Sequence, residues 1–242
     1  MWGAGWTYSE YSAGQNEGPE TVSGLFAFIP PPKGSGCSRS GYKKQEQTMK
    51  HQVYVALDLE MNQPSRKIIQ VGVALGGPTS PAAAWQTRQW LLDPGEPIAP
   101  EIQELTGISD EDIQKSAVSW QALADELGTL IQANPCFVNP VTWGGGDAEL
   151  LKAGFAEKGI AFPFFGRRWI DVKTWHTCQS LSEGKNPSGG LASVMGRYKV
   201  PFVGKAHRAD VDAYNTLVLF VHLLHRQAQM AEILRLSAAV KI

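Results

Sequence analysis

Two carboxylates at the end of a predicted strand are the first residues here whose types and spacing suit catalysis. The run from Val53 to Glu60 opens with β-branched and aromatic residues, which favours a buried strand. Side chains two residues apart on a strand point to the same face, so Asp58 and Glu60 are predicted to project together. Like charges at that spacing repel unless a proton or cation compensates them, and Mg²⁺ takes oxygen ligands. The alternative is a strand that simply ends in a polar turn.

Further candidates lie near the starts of two later helices. Asp147 follows a fourth predicted strand and three glycines, directly before a helical segment. Its alternative role is that of a helix N-cap, which aspartate often fills. His207 lies five residues before Asp212, at the start of a long apolar helix. Imidazole ordinarily has a pKa of about 6.5, which suits a general base, although His207 taken alone is an ordinary surface histidine.

The long helix offers a second acid, Asp210, close to Asp212. At about 100° per residue, Asp212 shares a polar strip with Asn215, whereas Asp210 lies over Leu217. A metal ligand fits the polar strip better, so Asp212 is predicted to complete the acidic set. Asp210 is then an N-cap or a solvated charge in the first turn. Five residues turn a helix by a net angle of about 140°, so His207 and Asp212 would not share a face if both were helical. His207 is therefore predicted to lie in a loop before the helix.

The elements that carry these residues predict an α/β fold. Three consecutive strands joined by short turns predict an antiparallel meander, and two shorter strands follow; the five are predicted over residues 53–60, 67–75, 85–92, 137–143 and 170–172. Pro140 indicates that the fourth strand is irregular or lies at an edge. Hydrophobic spacing and cap residues predict helices over residues 100–105, 109–131, 148–151, 189–198 and 210–227.

Composition indicates one globular domain with an appendage. The chain has 242 residues, of which 43% are hydrophobic and 19% charged. Because its net charge is only −1, the protein has no overall positive field, and any binding of nucleic acid must depend on a local basic patch. The three cysteines are widely spaced, which argues against a disulfide framework and a structural zinc site. The sequence also shows no secretory signal and no apolar run long enough to span a membrane, so a cytoplasmic protein is predicted. Residues 1–48 are rich in Gly, Ser and Pro and are predicted to be an appendage to a domain over 49–242, with Met49 as a possible alternative start.

Taken in order, these motifs resemble those of the DEDDh 3′→5′ exonucleases, which belong to the DnaQ-like proofreading-exonuclease superfamily. The three motifs match segments 57–60, 143–147 and 207–212, and the stretches 93–98 and 105–109 are also similar. The resemblance covers roughly residues 52–227. Gln70 departs from the pattern because Glu is common there, and three glycines before Asp147 are unusual. These departures leave the substrate preference open.

The resemblance implies a fold, a reaction and a set of site residues. The fold is an RNase H-like mixed five-stranded sheet with helices on both faces. The reaction is hydrolysis of single-stranded DNA or RNA from the 3′ end to nucleoside monophosphates. Two Mg²⁺ or Mn²⁺ ions would be held by four acids, with Glu60 and His207 in catalytic roles and His207 as the general base; the acids are Asp58, Glu60, Asp147 and Asp212.

Candidate substrate contacts come from the resemblance and from local charge. The family pattern implies that Leu105 and Thr106 contact the terminal base, although this segment also reads as a helix stop. Lys205 and Arg208 flank His207 with no acid between them, which suits positioning of the phosphate backbone.

Three other functions remain open from the sequence. The chain could be an enzyme restricted to very short RNA, since the Glu60-Met61 pair resembles oligoribonuclease-like members. It could be a non-catalytic nucleic-acid-binding or regulatory module on the same fold. It could also be a proofreading subunit docked on a polymerase, with residues 1–48 as a protein-binding arm. The sequence does not distinguish DNA from RNA, because no feature identifiably reads the 2′-hydroxyl.

Overall fold

A computed structural model describes residues 53–163 and 168–239, so the predicted appendage at residues 1–48 and Met49 lie outside the described residues. The described chain opens with an antiparallel meander of three strands, as predicted; these are β1 (Tyr54–Met61), β2 (Ile68–Gly76) and β3 (Gln86–Leu92). The meander forms the centre of the sheet and carries the first pair of acids.

Three two-residue strands complete a mixed sheet; they are β4 (Ala117–Val118), β5 (Val141–Thr142) and β6 (Ile170–Asp171). The strand order is β4-β3-β2-β1-β5-β6, with β4, β5 and β6 running parallel to their partners. The α/β class is therefore confirmed, with one more strand than predicted. The fourth predicted strand is not an edge strand, because β5 lies between β1 and β6. Pro140 instead shortens this strand, and the Pro140 carbonyl still accepts the Ile170 N–H at 2.8 Å.

Seven α-helices surround the sheet within the described residues; they are α1 (Pro100–Thr106), α2 (Asp110–Ser116), α3 (Trp120–Ala133), α4 (Asp147–Glu157), α5 (Val172–Ser182), α6 (Leu191–Arg197) and α7 (Ala209–Ala239). The helix predicted over 109–131 is two helices, because β4 interrupts it. Ser109 caps α2 as predicted: its hydroxyl accepts the Asp112 N–H at 3.1 Å, while the Asp112 carboxylate accepts the Ser109 N–H at 2.9 Å. Gly107 ends α1 in the left-handed conformation, with φ 75°.

Hydrophobic side chains cover both faces of the sheet, as predicted. On one face, alternate residues of β1 pack with α3 and α4 through side chains such as Leu57, Leu127 and Phe155. On the other, Ala56 packs with α5, α6 and α7 in a core that includes Leu217. Among the helices in the described ranges, none combines the length and apolar character that crossing a membrane requires.

Candidate active site

The alternation along β1 determines which way its two acids point. Leu57 and Leu59 belong to the core under α3 and α4. Asp58 and Glu60 therefore continue the opposite row, which begins with buried Ala56 and faces α7. Both acids are partly buried at the end of the strand, as predicted.

The start of α7 brings His207 and Asp212 to the same place. His207 lies in the loop before the helix, as predicted, with a left-handed φ of 63°. Its backbone N–H donates to Asp212 Oδ2 at 2.8 Å. One potential ligand atom from each of Glu60, His207 and Asp212 lies within 4.8 Å of the others, which makes this group able to hold a metal ion.

This approach of α7 to the sheet depends on Gly72 in β2. Gly72 lies directly opposite Asp58 in the antiparallel register. A Cβ at Gly72 would lie 2.0 Å from the carbonyl carbon of Ala209 and 2.2 Å from the Asp210 nitrogen. The backbone at the helix start therefore lies on the strand at a distance that only glycine permits, which places Asp212 above the β1 acids.

Three acids, a histidine and two aromatic rings line one cleft of about 350 Å³; its lining includes Asp58, Glu60, Trp143, Leu191, Phe202, His207 and Asp212. The loop that carries Phe202 is held to α7, because the Asn215 side chain accepts the Val203 N–H at 3.0 Å and donates to the Val203 carbonyl at 2.9 Å. Asn215 and Thr216 are fully buried, so this part of the polar strip of α7 lies inside the protein rather than on a wet surface.

Burial and mutual repulsion shift the pKa of the β1 acids. The pKa of Asp58 is raised well above its usual range, first by burial and then by the negative charges of Asp147, Glu60 and Asp212. The pKa of Glu60 is raised to about 7, first by burial and then by the negative charges of Asp212 and Asp147. The positive charge of Arg208 lowers this pKa by a smaller amount. The negative charge of Asp147 thus raises the pKa of both β1 acids.

The other two acids are shifted in the same direction. The pKa of Asp147 is raised to about 7 by burial and by the neighbouring carboxylates of Glu149 and Asp171. Burial raises the pKa of Asp212, and the backbone hydrogen bond from His207 partly offsets this. Carboxylate oxygens and an imidazole nitrogen form a donor set that suits a divalent cation. A bound cation would relieve the repulsion that raises these pKa values.

Two alternatives from the sequence are corrected by the helix boundaries. Asp147 is the first residue of α4, and Gly146 holds the N-cap position without a side-chain cap, so Asp147 is not an N-cap. Asp210 is the second residue of α7 rather than its N-cap, and its Oδ1 lies 3.9 Å from Arg208 Nε. Asp210 is therefore a first-turn charge, and it does not belong to the Glu60–His207–Asp212 group.

The four predicted substrate contacts occupy different environments. Leu105 is 44% exposed near the end of α1. Lys205 lies close to the same helix end, since its Nζ would lie 3.1 Å from a Cβ on Gly107. Arg208 donates to Gln89 Oε1 at 2.7 Å. Thr106 is only 1% exposed, and its hydroxyl donates to the Ile102 carbonyl at 2.7 Å. A base contact by the Thr106 side chain does not fit this geometry, because the hydroxyl is used inside α1.

Several residues that shape the site were not predicted from the sequence. Phe202 lines the cleft because its loop is anchored to α7 through Asn215. Gln70 and Gln89 contact the start of α7 from the sheet. The sequence carried one signal for Gln70, since it is the only polar side chain in the apolar run of β2.

The fold is that of the DEDDh 3′-exonucleases, as the motifs predicted. The chain is similar to the nuclease domain of 3′hExo, a DEDDh family member, bound to rAMP (14% identity, TM-score 0.62, 72% of this chain and 92% of that one). It is similar to cell-death related nuclease 4 (14% identity, TM-score 0.61, 73% and 65%). It also resembles E. coli exonuclease I in complex with a dT13 oligonucleotide (17% identity, TM-score 0.57, 76% and 43%). No protein-family model and no curated protein sequence matched the chain.

Proposed function

We propose that the protein is a metal-dependent 3′→5′ exonuclease that releases nucleoside monophosphates from single-stranded DNA or RNA. One observation carries the proposal: Glu60, His207 and Asp212 offer ligand atoms within 4.8 Å of one another, in the cleft that Asp58 also lines. The fold shared with DEDDh exonucleases supports the reaction class.

The side chains divide into metal-holding and proton-moving roles. Asp58, Glu60, Asp147 and Asp212 would hold two Mg²⁺ or Mn²⁺ ions, which, when bound, supply positive charge that activates water and stabilises the charge developing on the phosphodiester. His207 is exposed at the mouth of the cleft and removes the proton of the attacking water through its imidazole. Its backbone N–H is already bonded to Asp212, so the ring is the part left for chemistry.

The walls of the cleft suit a nucleotide. Trp143 and Phe202 offer aromatic faces on which a base or sugar can pack, since base–aromatic stacking tolerates any sequence. Leu105 and Lys205 both lie near the end of α1, where Leu105 would support the terminal base and Lys205 would neutralise a phosphate. Arg208 contributes positive charge beside Glu60. Two structures with this fold contain a nucleotide or a DNA oligonucleotide, rAMP in one and dT13 in the other.

A degradation assay tests the proposal directly. DNA and RNA oligonucleotides of one sequence, each blocked at either the 5′ or the 3′ end, are incubated with Mg²⁺, Mn²⁺ or EDTA. We expect monophosphate release from 5′-blocked substrates, none from 3′-blocked substrates, and none in EDTA. Glu60→Gln should abolish the activity, whereas Asp125→Asn, which changes an exposed acid on α3, should retain it. Release from 3′-blocked ends would contradict the polarity, and full activity in excess EDTA would contradict the metal requirement.

The same experiment distinguishes the rival function, a non-catalytic binding module. Such a module would bind the oligonucleotides in a filter or anisotropy assay and leave every substrate intact with both metals. The presence of Asp58, Glu60, Asp147, Asp212 and His207 in their expected elements favours the enzyme.

A further inference from the structure

A buried glutamine in the middle of the sheet reaches the start of α7. Gln70 is fully buried in β2, whose other residues are apolar. A buried amide needs partners for both its oxygen and its nitrogen. Gln70 Oε1 accepts the Ala209 N–H at 3.0 Å, and Gln70 Nε2 donates to Gln89 Oε1. The first N–H group of α7, which has no partner inside the helix, is therefore satisfied by the sheet.

A second glutamine extends this contact to the preceding residue. Gln89 Oε1, which accepts from Gln70, also accepts from Arg208 Nη2 at 2.7 Å. Gln70 and Gln89, here called the glutamine clamp, thus hold two successive residues, the side chain of Arg208 and the backbone of Ala209. Those two residues directly follow His207.

The strand register aligns the clamp with the acids. Glu60 lies opposite Gln70, and Asp58 lies opposite Gly72, which in turn lies opposite Gln89. Residues directly opposite in antiparallel strands share a face, so the clamp, the glycine and both acids form one surface beneath α7. A shift of the helix start relative to this surface would move His207 and Asp212 away from Glu60.

We propose that the glutamine clamp is a positioning device that sets His207 and Asp212 against Glu60. Its catalytic consequence rests on the proposed exonuclease function, whereas its structural and metal-binding consequences do not. Glutamine suits the task because its oxygen accepts from the helix start while its nitrogen donates to Gln89. A carboxylate at residue 70 would place another negative charge directly across from Glu60.

Three methionine variants of similar shape test the clamp. Gln70→Met and Gln89→Met remove the hydrogen bonds, and Gln86→Met is the matched control, since Gln86 is exposed on β3 opposite Leu75. Amide hydrogen exchange of residues 207–212 is measured by NMR on metal-free protein, and Mn²⁺ affinity by calorimetry. We expect exchange of the Ala209 amide to accelerate about tenfold in Gln70→Met, since one hydrogen bond is lost. Mn²⁺ binding should weaken in both clamp variants and remain unchanged in Gln86→Met.

Turnover provides the catalytic readout. In the clamp variants kcat should fall about 10²-fold with KM for the oligonucleotide nearly unchanged, because the groups are misplaced rather than removed. Gln70→Glu keeps the acceptor for Ala209, so exchange at Ala209 should stay near wild type while more Mg²⁺ is needed for half-maximal turnover. If Gln70→Met does not fold, exposed Gln89→Met carries the test.

Unchanged exchange at residues 207–212 together with unchanged Mn²⁺ affinity in the clamp variants would overturn the proposal. Equal loss of protection in Gln70→Met and Gln70→Glu would also overturn it, because shape rather than the hydrogen bond would then hold the helix. A protein that hydrolyses no substrate but shows the expected exchange and Mn²⁺ effects would refute the proposed function and leave the clamp standing.

Discussion

His207 differs from the four acids in how it is held. The acids are partly buried, whereas the His207 side chain is exposed and its position is defined by a backbone hydrogen bond to Asp212. Replacing the imidazole therefore leaves that contact in place. We expect His207→Ala to lower turnover by about 10² to 10⁴, the usual effect of losing a general base, with nucleic-acid affinity nearly unchanged. Single-turnover kinetics and an equilibrium binding assay measure the two quantities separately.

Two controls make that result specific to the ring. His207→Asn lacks the base but tolerates the left-handed φ of 63°, so a similar loss in both variants excludes backbone strain as the cause. Metal binding also weakens in acid, so the pH profile of each variant is needed beside that of the wild type. Wild-type turnover that stayed constant well below the ordinary pKa of imidazole would contradict the general-base role.

Asp210 and Asp212 are a matched pair two residues apart on α7. Asp212 belongs to the group that can hold a metal, whereas Asp210 lies 3.9 Å from the Arg208 side chain. We expect Asp212→Asn to eliminate hydrolysis and Asp210→Asn to retain most of it, with a stability change of at most about 1 kcal/mol for a partly exposed charge. Activity assays and thermal unfolding check both. The reverse pattern would show that Asp210 is the fourth ligand.

The contact between α7 and β2 provides a test at the level of elements. Gly72→Ala would place a methyl group 2.0 Å from the Ala209 backbone, which forces the helix start away from the sheet. We expect a loss of about 1–3 kcal/mol in unfolding free energy and a large fall in kcat. Gly128→Ala is the matched control, because nothing lies within 4 Å of its Cβ and it sits inside α3. That substitution should stabilise the protein by about 0.5–1 kcal/mol and leave activity intact. Equal effects of the two substitutions would contradict the close approach.

Elements with a strong local signal were predictable. The β-branched runs of β1 and β2 and the apolar period of α7 follow from local patterns. The two-residue strand β4 carries no such pattern, and it forms because residues 117–118 pair with β3 between two helices. Pro140 indicates an irregular or an edge strand, and only the edge position is wrong, for a physical reason. It removes one donor, but β5 needs only two paired residues to fill the position between β1 and β6.

The positions of the four candidate acids could be predicted because each stands next to an element boundary in a recognisable order. The contacts that align them could not. Gln70 and Gln89 meet through pairing of β2 with β3, and both reach residues more than a hundred positions later in the chain. For Thr106 the motif is recognisable in the sequence, whereas its burial depends on the packing of α1 and is not visible there.

The acidic cluster should make the stability of the whole molecule depend on pH and metal together. Glu60 and Asp147 have pKa values raised to about 7, so between about pH 5 and pH 7 the folded protein holds protons that the unfolded chain releases. Stability of the metal-free protein should therefore rise as pH falls from about 8 to about 5. One pKa unit corresponds to about 1.4 kcal/mol, so Glu60 alone contributes at most about 3 kcal/mol to this change.

Mg²⁺ should reverse this trend, because it binds the deprotonated acids of the folded state and competes with protons. We expect the Mg²⁺-induced rise in melting temperature to be largest near about pH 8 and small near about pH 5. Differential scanning calorimetry across that range, with Mg²⁺ and with EDTA, measures both effects. Glu60→Gln should flatten the metal-free profile and reduce the response to Mg²⁺, whereas Asp125→Asn, remote from the cleft lining, should change neither. A stabilisation by Mg²⁺ that was equally large at about pH 5 would mean that the ion binds elsewhere, because these acids would then be mostly protonated.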